Sequence, residues 1–113
     1  MQSQTQDVLF QYVNRIHEIY GSELKAVILY GSYARGDYTE SSDIDIMILV
    51  DSTEDTIKQK GRMVSDITFD FNLDHDIMIM PIVKNVNHFQ YWLPADPFYK
   101  NVKNDGVELY VAQ

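Results

Sequence analysis

The stretch Gly31-Ser32-Tyr33-Ala34-Arg35-Gly36-Asp37-Tyr38-Thr39-Glu40-Ser41-Ser42-Asp43-Ile44-Asp45 decides how this chain folds. It joins two apolar runs, Ala26–Tyr30 before it and Ile44–Val50 after it. Both runs are short and β-branched, so each is predicted as a buried strand, the first over Leu24–Tyr30 and the second over Asp43–Val50. Gly31 and Ser32 turn the chain out of the first strand. Asp43 and Asp45 open the second. Side chains alternate across a strand, so these two carboxylates share one face and Ile44 and Ile46 share the other. Residues 31–42 are polar and turn-rich, a loop with one helical turn at Tyr33–Gly36.

Outward from this centre, Val8, Leu9, Tyr12, Val13, Ile16, Ile19 and Tyr20 recur at helical spacing over residues 4–20, and Gly21 is placed to end that helix. Residues 54–73 repeat the pattern with Ile57, Met63, Val64, Ile67 and Phe71, with Gly61 as the weak point. Ile77–Val83 is the third predicted strand. Pro81 cannot donate to a ladder, which puts this strand at an edge or bends it. A short helix is expected over 86–93. Asp96-Pro97 reads as a cap and first helical residue, followed by a helix to Gly106, and Val107–Val111 is a candidate strand. The order is helix, strand, strand, helix, strand, helix, helix: an α/β (α+β) domain in which helices cover a small sheet.

The chemistry concentrates in the quoted stretch. Two carboxylates side by side repel, which costs stability unless a cation lies between them. Mg²⁺ prefers oxygen ligands and keeps water and substrate phosphates in its shell, and an Asp-x-Asp pair leaves those positions open. Glycine directly after a strand lets phosphate oxygens approach backbone N–H groups. The Ser32 hydroxyl adds a donor, and Arg35 offers a charged fork. A lone Asp-x-Asp is ordinarily a solvated strand end, and a lone Gly-Ser is ordinarily a tight turn; the combination is far more specific.

Gly31-Ser32-x-Ala34-Arg35-Gly36 followed by Ser42-Asp43-Ile44-Asp45 resembles the DNA polymerase beta-type nucleotidyltransferase superfamily, and within it the minimal nucleotidyltransferases of prokaryotes. Pro97–Val107 is similar to the C-terminal segment of one subgroup. The resemblance implies a nucleotidyltransferase fold in a single domain over residues 1–113. It implies transfer of a nucleoside monophosphate, AMP from ATP being the expected case, to a hydroxyl of a protein or small molecule. Gly31, Ser32, Arg35 and Ser42 are then the nucleotide-holding residues, and Asp43 and Asp45 the ligands of two Mg²⁺ ions. A third carboxylate is expected near the third strand. Asp74 and Asp76 precede it, on one face with Met78 and Met80 if the segment is extended; Met78 stands where a carboxylate would suit, so Asp76 is the candidate catalytic and metal-binding residue. The resemblance also implies a small helical partner of the HEPN type in a toxin–antitoxin pair. A catalytically weak nucleotide-binding module, acting as an antitoxin by complex formation, is the alternative.

Bulk properties set the remaining expectations. Seventeen acidic against nine basic residues give a net charge of −8, which disfavours a polymeric nucleic acid as partner. With 113 residues and 45% apolar content the chain can bury a core. The chain contains no cysteine, which fits a reducing cytoplasm, and neither a signal peptide nor a membrane span is read. His17, His75 and His88 lack metal-ligand spacing. Phe89, Tyr91, Trp92, Phe98 and Tyr99 are expected mainly in the core, with any exposed remainder available to a partner or a second copy of the chain.

Overall fold

Residues 3–113 are described in a computed structural model, which winds a four-stranded sheet with helices on both faces. The elements are α1 (Ser3–Tyr20), β1 (Leu24–Tyr30), α2 (Ser32–Arg35), β2 (Ile44–Val50), α3 (Glu54–His75), β3 (Ile79–Asn85), α4 (Val86–Trp92), α5 (Pro97–Asp105) and β4 (Val107–Val111). The sheet order is β3-β2-β1-β4. β1 pairs antiparallel with β2 and with β4, and β2 pairs parallel with β3, so the sheet is mixed. Among the described residues, no helix is long and apolar enough to cross a membrane.

Strand alternation sorts the central residues into two layers. Val27 and Leu29 of β1, with Ile44, Ile46, Ile48 and Val50 of β2, join the layer that holds Leu9, Tyr12 and Ile16 of α1 and Val64 and Phe71 of α3. Ile28, Met47 and Leu49 point the other way, against Phe89, Tyr99 and Val102 of α4 and α5. Both faces of β2 are covered, which is why its sequence is a continuous apolar run rather than an alternating one. Asp45 shares the face of Met47 and Leu49 and breaks that run at its open end.

A buried polar contact ties α1 to α3. The Thr68 hydroxyl donates to the Val64 carbonyl at 2.7 Å, which leaves its oxygen to accept from the Tyr12 hydroxyl, also at 2.7 Å. Burial pushes the Tyr12 phenol up to about 12.

The third strand begins later than its sequence suggests. α3 runs on to His75 and closes on Asp76, which adopts a left-handed conformation (φ 52°). The N–H groups of Asp76 and Ile77 both donate to the Asn72 carbonyl. The Asn72 side chain then clamps Ile79, accepting from its N–H at 2.7 Å and donating to its carbonyl at 3.2 Å. Residues 76–77 spend their backbone donors on closing the helix, so pairing starts at Ile79. Pro81 does lie in an edge strand.

The C-terminal aromatics divide. Phe89 and Tyr99 are buried, while Tyr91, Trp92 and Phe98 are exposed.

Candidate active site

The turn between β1 and α2 is made by Gly31, whose backbone (φ 73°, ψ −153°) is one that side chains rarely adopt. Space imposes glycine as well: an added Cβ would overlap the Asp45 carboxylate. Gly31 therefore lies directly against Asp45. In the four-residue α2, the first-turn N–H groups have no helical partner by construction. The helix closes through the N–H of Arg35 on Gly31 and that of Gly36 on Ser32.

Asp43 is exposed, and Asp45 is half-buried. Burial, and then the charge of Asp43, raise the Asp45 carboxyl above its usual range, with Arg35 acting in the opposite sense. The pair is thus an anionic site that Arg35 offsets only in part, as two neighbouring carboxylates should be. Arg35 lies between Asp37 (Nε to Oδ2, 3.4 Å) and Asp105 at the end of α5 (Nη1 to Oδ2, 4.0 Å). Ser42 holds the loop ahead of Asp43: its hydroxyl oxygen accepts from the Thr39 N–H at 2.8 Å, and its own N–H donates to the Thr39 carbonyl at 3.1 Å.

The fold does not bring Asp76 to the pair. Among the described residues, no three of His, Cys, Asp and Glu form a group able to hold a metal ion. The expectation of an extended segment placing Asp74, Asp76, Met78 and Met80 on one face fails for a local reason. Asp74 is in the last turn of α3, and Asp76 is its left-handed cap. The parallel register instead sets Met80 beside Asp45, and the Ile44 N–H donates to the Met78 carbonyl at 2.7 Å. Both methionines are about half exposed.

Tyr30 was not apparent from the sequence as a site residue. It pairs with Asp45 across β1 and β2, and its ring meets Phe98 edge-on at 5.6 Å. Burial and the Asp45 charge push its phenol up to about 12. Its place immediately before Gly31 was the available signal, but the facing residue depends on strand register.

The family model described as polymerase beta, nucleotidyltransferase matches residues 13–110. The chain belongs to this nucleotidyltransferase family. Two proteins of Methanocaldococcus jannaschii, each carrying the provisional name protein adenylyltransferase, are similar along most of their length. One is 36% identical over 91% of this chain and 96% of its own, and the other 37% identical over 88% and 92%. The fold is shared with a toxin–antitoxin crystallised with AMP-PNP (TM-score 0.58, 20% identity) and with a mutant of the toxin–antitoxin MntA–HpeT (TM-score 0.58, 18% identity). Each likeness covers 92% of this chain and 74% of the other. The nucleotidyltransferase is accordingly an enzyme of the minimal type, with the motif that carries the family's pattern gathered at one end of its two central strands.

Proposed function

We propose that this nucleotidyltransferase moves AMP from ATP to a hydroxyl on a partner protein, as one half of a two-protein toxin–antitoxin pair. The observation that carries this reading is the contact between Gly31 and Asp45, which puts the glycine turn beside a carboxylate pair that Arg35 offsets only in part. The provisional naming of its relatives supports AMP and a protein acceptor, and the toxin–antitoxin folds support the pairing. A helical partner of the HEPN type is part of the proposal.

The donor set fits Mg²⁺: two carboxylates at the start of β2, one just ahead of it and one in it, with the rest of the shell left to phosphate and water. Asp43 and Asp45 would hold two such ions, whose charge would offset that of the triphosphate and pyrophosphate. Gly31 and Ser32 would hold the phosphate chain at the turn. The acceptor oxygen bonds to the α-phosphorus, the bond from that phosphorus to the bridging oxygen breaks, and pyrophosphate leaves. The hydroxyl proton passes to water, since no third carboxylate of this chain stands with the pair. Positioning and charge are the protein's whole contribution.

A second reading rests on that same vacancy. With Met80 beside Asp45, a chain that binds nucleotide and partner but transfers slowly would act as an antitoxin by complex formation. One experiment separates the two: α-labelled ATP and Mg²⁺ with the chain and its co-purified neighbour protein, run beside Asp43→Ala. Label on a discrete acceptor with the unmutated chain alone establishes transfer. A complex that forms and protects equally well with Asp43→Ala, without label, establishes the binding module.

A further inference from the structure

A groove runs along the loop that leads into Asp43, on the opposite side of the sheet from Asp45. Its main part, of about 600 Å³, is lined by Tyr33, Tyr38, Glu40, Asp76 and Ile77 and reaches Thr5 at the start of α1. A contiguous part of about 200 Å³ shares Tyr33, Glu40, Asp76 and Ile77 and ends at Ser42, next in sequence to Asp43. Tyr33 and Tyr38 stack face to face at 4.2 Å and 9°, giving the groove a flat aromatic wall. Tyr33 packs on the α1–α3 layer, whereas Asp45 shares the face of Met47 and Leu49, which belong to the α4–α5 layer. The groove therefore approaches the carboxylate pair from the side away from Tyr30 and Met80.

Two carboxylates, Glu40 and Asp76, line this groove, and neither has an ion-pair partner among the described residues. They repel a triphosphate and attract a cation. An aromatic face adds to that attraction, since a guanidinium or ammonium is drawn to a tyrosine ring. The chain as a whole carries −8, so a positively charged polypeptide is steered toward it and a nucleic-acid backbone is not.

We propose that this groove is the acceptor cleft, and that it takes a polypeptide segment whose Lys or Arg side chains lie against Glu40, Asp76 and the Tyr33–Tyr38 stack while its hydroxyl reaches the Asp43 end. This rests on the transferase reading above and adds to it the chemistry of the acceptor and its direction of approach.

The test uses the ¹⁵N-labelled chain with Mg²⁺ and α,β-methylene ATP, whose α-phosphorus cannot be transferred, titrated with two short tyrosine peptides of equal length, one flanked by Lys and Arg and the other by Glu. The cationic peptide is expected to shift the amides of Tyr33, Tyr38, Glu40 and Ile77 to saturation, and the acidic one to leave them in place. Glu40 is exposed in a loop, so Glu40→Lys folds, and it is expected to weaken the cationic peptide by about tenfold or more. Equal binding of both peptides, shifts confined to other surfaces, indifference to Glu40→Lys, or absence of peptide binding would each overturn the proposal. So would shifts of the Tyr38, Glu40 and Ile77 amides by the nucleotide analogue alone, which would make it a nucleotide pocket. Binding of that analogue to Asp43→Ala is read separately and bears on the nucleotide site alone, so failure of the transferase reading is not mistaken for failure of the groove.

Discussion

Asp45 Oδ2 lies where a Cβ on Gly31 would have to go. The turn that follows β1 and the carboxylate that opens β2 are therefore fitted to each other, and neither can change size alone. Gly31→Ala is expected to cost about 1–3 kcal/mol from its backbone conformation and to displace the Asp45 carboxyl as well. Nucleotide transfer should fall about 100-fold or more, by analogy with misplaced catalytic groups. Gly36→Ala is the control: its φ of 84° is equally unfavourable, but the space beside it is open. Thermal unfolding and labelled transfer on both variants distinguish a strained turn from a displaced carboxylate.

Asp45→Asn should fold more stably than the unmutated chain at pH 7 without metal. The native carboxyl is raised above its unfolded value by burial and by Asp43, so ionising it costs the folded state. That cost is absent below the unfolded pKa and grows as pH rises through the native one. The advantage of the variant should therefore shrink on acidification. Urea midpoints between pH 3 and about pH 7, the range around ordinary carboxylates, check the sign. Mg²⁺ with AMP-PNP should raise the melting point of the unmutated chain and not that of the variant.

Tyr12→Phe removes a buried hydrogen bond to Thr68 and should cost about 1 kcal/mol at neutral pH. Alkali removes the difference. The Tyr12 phenol is raised to about 12 in the fold, so its protonated form stabilises the native state below pH 10, and that stability is lost as pH rises toward 12. Near pH 11 the unmutated chain should have lost about 1 kcal/mol through this group, a loss the variant cannot suffer. Denaturant curves at neutral pH and at pH 11 test both halves.

Two glycines should respond oppositely to alanine. Gly61 is in the middle of α3 with nothing near its missing Cβ, so Gly61→Ala should stabilise by about 0.5–1 kcal/mol. At Gly106 an added Cβ would collide with the Val102 carbonyl and with Ile28 Cγ2. Gly106→Ala should destabilise by about 1–3 kcal/mol, because backbone and a β-branched side chain must both give way. Paired thermal scans decide it.

Local signals were enough for most of the fold. The two central strands, α1, the cap at Asp96 and the edge position of Pro81 all follow from periodicity or from the chemistry of one residue. Elements set by specific side-chain and backbone contacts rather than by periodicity were not legible. The start of β3 depends on the Asn72 clamp, and the Asp76 cap is a backbone state that a non-glycine residue does not advertise. The site divides the same way. Gly31, Asp43 and Asp45 were visible as a spacing. The neighbours that set their surroundings, Tyr30, Met80 and Asp105, come from strand register and from the return of the chain through α5. The Tyr33–Tyr38 stack needs the reversal at Gly36 to bring its rings together.

Asp43 stands just ahead of β2 and Asp45 is its second residue, and the neighbouring strand sets Met80 beside Asp45. On the proposed reading a cation held there would take most of its shell from phosphate and water, and so would arrive with a triphosphate. The resting chain meanwhile carries a repulsion that loading relieves, and whatever binds only the native state draws the folding equilibrium with it. On that reading nucleotide and Mg²⁺ would stabilise the fold as well as supply the reaction.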